Sequence, residues 1–142
     1  MLKVFTLLQS AEWDSTIKTF SGHDVYNLSG YVVPFAVHGD GEPMLFYYKN
    51  ENIRAINVVM KRDISLDNNY VSQLPEGKMY DFATPYGYGG WLIEGEGDKS
   101  KLFEEYDKWC VENNIVSEFV RYNPIIRNYE QSCEYYETVK LG

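Results

Sequence analysis

Cysteine and histidine are scarce in this sequence, with two of each, and the scarcity removes whole classes of chemistry. Cys110 and Cys133 share no Cys-x-x-Cys spacing and have no histidine or second cysteine pair beside them, so neither a zinc site nor a redox motif is indicated. Both read as buried or incidental thiols. His23 and His38 have no nucleophile neighbour, and no serine or cysteine sits in a Gly-x-Ser-x-Gly elbow, which leaves hydrolase triads without support. Basic charge is short as well: 13 Lys and Arg face 21 Asp and Glu, for a net charge of -8. A nucleic-acid binder gains affinity by neutralising phosphates with Lys and Arg, so DNA or RNA is not an expected partner. No apolar run approaches the roughly 20 residues that cross a bilayer, and Leu2 to Leu8 is too short for a signal-peptide core. A cytoplasmic protein is expected. No internal repeat or low-complexity tract is visible.

What is present points to an ordinary folded domain. Hydrophobic residues make up 44% of the 142 positions and aromatics 16%, including 13 Tyr. That apolar surface is sufficient to offset chain entropy, which argues against disorder. The length fits one domain over residues 1–142 with no linker. A chain of this size buries roughly two-thirds of its unfolded surface, so the core needs no metal or disulfide staple. Tyrosine keeps a polar tip on an apolar body and suits the wall of a pocket, although an interface or a half-exposed core uses it equally well.

Patterning along the chain alternates strand and helix. Lys3 to Leu8 is β-compatible, and Ser10 stands as an N-cap before Trp13, Ile17 and Phe20 at helical spacing. Asp24 to His38 is aromatic-rich but contains Gly30 and Pro34, which weaken any long helix, and Gly39 to Glu42 has turn chemistry. Met44–Tyr48 and Ile53–Met60 are apolar runs joined by Lys49-Asn50-Glu51-Asn52, as in an antiparallel hairpin. Lys61 to Lys78 turns polar and reads as a surface excursion. Trp91 to Glu94 ends a further strand, with Gly95-Glu96-Gly97 as its exit turn. From Lys99 to Asn113, Leu102, Phe103, Tyr106, Trp109 and Cys110 share one helical face, opposite Glu104, Glu105, Lys108 and Glu112. Ile115 to Tyr122 reads as a strand, and Thr138 to Leu141 as a last extended segment. The expected fold class is α/β in the α+β sense, a mixed, mostly antiparallel twisted sheet flanked by helices.

The densest local signal is Asp81-Phe82-Ala83-Thr84-Pro85-Tyr86-Gly87-Tyr88-Gly89-Gly90. Its glycines admit close approach of another group to the backbone, or they serve a β-bulge or strand crossover. Tyr86 and Tyr88 can stack on a sugar or nucleotide, or plug the core. A phosphate-cradling loop needs glycines that run straight into a helix N-terminus, whereas Gly87 to Gly90 continues into Trp91 and a strand. Gly95-Glu96-Gly97-Asp98-Lys99-Ser100 does precede a helix, yet it lacks the P-loop order and carries two acids. Asp98 or Ser100 as N-cap is its ordinary explanation. In Ser117-Glu118-Phe119-Val120-Arg121-Tyr122-Asn123-Pro124, strand alternation puts Ser117, Phe119 and Arg121 on one face and Glu118, Val120 and Tyr122 on the other. Both faces carry a charge, so Glu118 and Arg121 are expected to be paired, exposed or ligand-facing.

Taken together, Trp13-Asp14, Asp24-Val25-Tyr26-Asn27-Leu28 with Tyr31, Ala83 to Gly90, and Val116 to Pro124 with Asn128 resemble the N-terminal half of a GNAT-superfamily group. That group includes the Fem-type peptidoglycan-bridge aminoacyltransferases and related polysaccharide-biosynthesis acetyltransferases. The third and fourth strings are the specific ones, and the resemblance spans nearly the whole chain. It departs at Trp91, where the family tends to have proline, and at Asn27 and Asn123, where histidine is commoner. An amide does not titrate near neutrality, which leaves no proton-transferring base at those two positions.

The resemblance implies a single GNAT-like lobe over residues 1–142. It implies an acceptor-binding role, with Tyr26, Tyr86, Gly87, Tyr88, Gly89, Gly90, Glu118 and Arg121 as the substrate-binding candidates. Family members run about twice this length as two lobes, with the acyl donor, acyl-CoA or aminoacyl-tRNA, held by the second. No cofactor or metal is expected on this lobe, and no catalytic residue is assigned. The expected partners are a small-molecule or sugar-linked acceptor and a second GNAT-like lobe or a homodimer partner. The function so implied is acyl or aminoacyl transfer to a sugar, cell-wall or polysaccharide precursor, with this lobe inactive alone. The rival readings are a non-catalytic binding or interaction module and a carbohydrate-binding lobe whose Tyr86, Tyr88 and Trp91 stack on sugar faces.

Overall fold

The computed structural model describes residues 1–141. It is an α+β fold with three α-helices and a six-stranded, mostly antiparallel open sheet. In chain order the strands are β1 (Leu2–Phe5), β2 (Glu42–Lys49), β3 (Ile53–Asp63), β4 (Tyr80–Ala83), β5 (Leu92–Gly95) and β6 (Ile115–Phe119). The helices are α1 (Ser10–Ile17), α2 (Ser29–His38) and α3 (Ser100–Glu112).

β3 is the spine. Along one edge it pairs antiparallel with β2, which in turn pairs with β1. Along its other edge it is shared: Ile53 to Ile56 pair with β5, and Met60 to Asp63 pair with β4. Asn57, Val58 and Val59 face the split between those two partners. β6 then lies parallel to β4 as an outer strand. The Pro-Tyr-Gly-Tyr-Gly-Gly string is thus the connection by which the chain leaves β3 after β4 and returns to it as β5.

Alternation along these strands gives the sheet two apolar faces. On one, Trp13 and Ile17 of α1, Phe20 in the turn that follows it, and Val32 of α2 pack on Phe5, Leu45, Ile56, Val58 and Met60. On the other, Leu102, Phe103 and Tyr106 of α3 pack on Phe46, Tyr48, Ile53, Ala55, Phe82, Trp91 and Ile93. Burying a large apolar side chain of this kind is worth about 1.5–3 kcal/mol, so both faces contribute to holding one core.

Several boundaries differ from the sequence reading, each for a local reason. The first strand stops at Phe5 because Thr6 caps a 3-10 turn over Leu7–Gln9, its amide in turn bonded by Gln9. Ser10 is consequently the first residue of α1 and not its cap. Asp24 to His38 contains α2, a ten-residue helix that keeps Pro34 in its interior. Pro34 and Gly30 are both exposed, so the Gly30 carbonyl that Pro34 leaves without an amide partner can be met by water. The N-cap of α3 is Lys99 and neither Asp98 nor Ser100; Asp98, one position earlier, accepts from the Ser100 amide and hydroxyl. Thr138 to Leu141 forms no strand: it is exposed and has no neighbour to pair with among the described residues.

Candidate functional site

The four motif segments meet at one place, and three of them do so through backbone anchors. Asp14 of α1 accepts hydrogen bonds from the Ser29 amide (2.8 Å) and hydroxyl (2.9 Å), capping α2 from outside. Trp13 donates from Nε1 to the Asn27 carbonyl at 2.8 Å. Together they fix the segment Asp24 to Leu28 against the sheet. Asn128 does the same for the glycine string, donating to the Gly89 carbonyl at 2.8 Å and accepting from the Asn123 amide at 3.1 Å. Thr84 accepts from the Arg121 amide (2.9 Å), and the Gly89 amide donates to the Arg121 carbonyl (2.8 Å), so the string stays zipped to the continuation of β6.

The glycines admit rings. Gly87 has a φ of +108°, and a Cβ there would sit 2.6 Å from the Tyr26 ring; at Gly90, with φ of +88°, it would sit 2.7 Å from the Tyr122 ring. Both positions need glycine for conformation and for space. The result is a run of edge-on and tilted ring contacts, Tyr88 to Tyr26 to Tyr31 to Phe35 to Tyr86, with centroids 5.8, 5.2, 5.4 and 6.5 Å apart. These separations fall in the range of favourable aromatic pairs. The Tyr31 hydroxyl donates to the Tyr86 carbonyl, and burial raises the pKa of that phenol above its usual value.

This aromatic ridge has a hollow at each end. The larger, about 280 Å3, is open and lined by Phe35, Arg62, Thr84, Tyr86, Phe119 and Arg121 among others. Tyr86 is 76% exposed and Phe119 61%. Arg62 is committed to a bidentate pair with Asp81 at 2.8 and 2.6 Å, a hydrogen bond that raises its already high pKa. Arg121 has no side-chain hydrogen bond or ion pair among the described residues. Asp40, the carboxylate of this lining, is paired with His38 at 3.0 Å. The smaller hollow, about 20 Å3, lies by Asp24, Tyr26, Asn27, Tyr88, Gly90 and Asn123.

Glu118 is elsewhere. Its side chain turns to the α3 face, where Oε2 accepts from the hydroxyls of Tyr106 (3.1 Å) and Tyr136 (3.0 Å) and Oε1 from Asn57 Nδ2 (3.3 Å). Trp91 donates to the Tyr136 hydroxyl at 3.1 Å, which extends the network. Desolvation raises the Glu118 pKa, raises Tyr106 well above the ordinary phenol, and pushes Cys110 up to about 12. Asn57 is 1% exposed and its Oδ1 has no partner. Glu118 and Arg121 are not paired with each other: alternation sends one into the molecule and the other out.

Of the candidates read from sequence, Tyr86 and Arg121 share the larger hollow, while Tyr26, Tyr88, Gly89 and Gly90 line the smaller. Gly87 is the point where Tyr26 crosses the loop. Trp91, considered as a sugar-stacking residue, is 1% exposed in the α3-side core and cannot meet a ligand. Phe119, Phe35 and Thr84 were not among the sequence candidates. Phe119 had a usable signal, since it lies two residues from Arg121 on the same strand face; Phe35 reaches the groove only through the placement of α2. No cluster of potential metal ligands occurs among the described residues. Among the described residues, no helix is long and apolar enough to cross a membrane. No protein-family model, curated protein or solved structure matches this chain.

Proposed function

We propose that this chain is the acceptor-binding lobe of a GNAT-type acyl or aminoacyltransferase, a single GNAT-like domain that acts on a sugar-linked cell-wall or polysaccharide precursor together with a second lobe. The observation that carries the reading is the groove shared by Tyr86 and Arg121. An unpaired guanidinium beside exposed aromatic faces suits a ligand with an anionic oxygen and a sugar ring: the guanidinium holds a carboxylate or phosphate, and Tyr86, Phe119 and Phe35 cover the ring's apolar side. The chain's contribution to catalysis is then positioning, which converts attack on the donor thioester or ester into an oriented, effectively intramolecular step. The donor, acyl-CoA or aminoacyl-tRNA, belongs to the second lobe or to a partner copy, and the lobe alone is inactive.

A non-catalytic binding module is the second reading, and one observation favours it. Among the described residues the groove's lining has no Ser, Cys or His, and its carboxylate, Asp40, is engaged by His38. Sedimentation combined with separate titrations of acetyl-CoA and UDP-N-acetylglucosamine distinguishes the two. Binding of the sugar nucleotide with loss in Arg121→Ala supports the acceptor lobe, and donor-dependent turnover in a dimer restores the full enzyme. A monomer that binds neither compound removes the transferase reading.

A further inference from the structure

α2 is apolar on both of its sides. Between Ser29 and His38 it carries no Asp, Glu, Lys or Arg. The inner side is accounted for, since Tyr31, Val32 and Phe35 face the sheet and the aromatic ridge. The outer side has no such role. Gly30, Val33, Pro34 and Val37 follow one another at i, i+3, i+4 and i+7, which places them on a single stripe. All four are exposed, Val33 at 42% and Val37 at 83%. A helix on the surface of a folded domain ordinarily turns charged or polar residues to water.

Two residues of the stripe are poor helix formers that the fold of one chain does not require. Gly30 is helical, and a Cβ built there meets no atom within 4 Å, so alanine would fit and would favour the helix more. Pro34 gives up a backbone hydrogen bond in the helix interior. Both suit a surface shaped for contact, with a hollow at Gly30 and a knob one turn past Pro34 at Val37. A two-fold axis between Val33 and Pro34 sets two antiparallel copies of α2 so that Val37 of each lies over Gly30 of the other, while Val33 meets Pro34. The stripe is therefore complementary to itself, as a two-fold contact requires. Other occupants fit less well. A helix that lies on a membrane joins its apolar face to Lys and Arg, whereas the charges flanking α2 are Asp24 and Asp40 in a chain of net charge -8. A partner recognised by charge would find none on the stripe.

We propose that the outer stripe of α2, formed by Gly30, Val33, Pro34 and Val37, is the contact through which this chain pairs with a second copy of itself. One ten-residue helix, about 15 Å long, gives a contact at the low end of the interface range, so the pairing is weak, with a dissociation constant of about 10–1,000 μM. Tyr31 and Phe35 lie on the opposite side of α2, so pairing leaves the groove of Tyr86 and Arg121 open. The pairing holds whether or not that groove takes an acceptor.

The test is sedimentation of the chain at concentrations from about 10 μM to about 1 mM, with no ligand added. The expected result is a shift from 16.5 kDa towards twice that mass as concentration rises. Val37→Glu and Val37→Lys should each weaken association at least about tenfold, with the melting temperature unchanged when measured below the association range. The two substitutions move the net charge in opposite directions, so a loss in both is local to the stripe, and either decides the matter if the other does not fold. Gly30→Ala should raise the melting temperature of the dilute chain and still weaken association, a combination that a role within one chain would not produce. A chain that stays monomeric across the range overturns the pairing, as does association as tight as the parent's in the Val37 variants or in Gly30→Ala. A monomeric chain that sediments with phosphatidylcholine vesicles, and loses this in Val37→Glu, overturns it in favour of a lipid surface.

Discussion

The two faces of β6 offer a comparison within one short strand. Toward α3, Glu118 meets two tyrosine hydroxyls and an asparagine, all enclosed, and every one of those groups has a partner except Asn57 Oδ1. Toward α2, Phe119 and Arg121 stand in the open beside Tyr86, with the guanidinium unpaired. Tyrosine is prominent on both sides, yet on one it completes a closed network and on the other it presents a bare ring. Residue type therefore says little about role here; the next-neighbour alternation of the strand decides it. The closed side holds the split sheet together where β4 and β5 separate, and the open side is what the fold leaves available to a ligand.

That contrast breaks most visibly on the closed side. Trp91→Ala removes a ring buried against Phe103 and Tyr106 and should cost about 3–5 kcal/mol in urea unfolding, enough to leave little folded protein. Glu118→Ala strands the Tyr106 and Tyr136 hydroxyls and should cost about 1–3 kcal/mol by the same measurement. Gly87→Ala forces a side chain into the Tyr26 ring at a positive φ and should cost about 1–3 kcal/mol, with loss of the Tyr26 environment visible by near-ultraviolet circular dichroism.

A pH series sharpens the comparison further. Because burial raises the Glu118 pKa, its contribution favours the folded state below the ordinary glutamate value of about 4.3 and is lost as pH rises through the folded value. Asp63, held below the usual range by Ser65 and the Gly77 amide, acts in the opposite direction and is common to both proteins. Glu118→Gln removes only the first contribution. Its melting temperature relative to the parent should rise as pH increases from about 4.3, the ordinary glutamate value, through the raised folded value; a difference independent of pH would show that Glu118 is not strained by burial. The smallest stability effect is expected on the open side, where Arg121→Ala should change unfolding by less than about 0.5 kcal/mol.

How much of this was legible in the sequence follows the same physics. The β2–β3 hairpin, α3 and the surface excursion after β3 were readable because each is set by local periodicity and turn residues. The two faces of β6 were readable from alternation alone. What was not readable depended on distant partners. That Glu118 faces hydroxyls follows from where Tyr136 returns to the sheet, and Trp91 looked ligand-facing because nothing local announces that α3 covers it. α2 kept its helix despite Pro34 because Asp14, fifteen positions before Ser29, caps its start and Val32 is buried beneath it. The division of Tyr86 and Tyr88 between two hollows required the positive φ of Gly87, which a string of glycines permits but does not specify.

The most direct test is calorimetric titration of UDP-N-acetylglucosamine into the parent chain, Arg121→Ala and Glu118→Gln. The account expects Arg121→Ala to weaken binding at least about tenfold at unchanged melting temperature, and Glu118→Gln to leave affinity as it is. Equal affinity in the parent and Arg121→Ala, or a loss found only in Glu118→Gln, would contradict it.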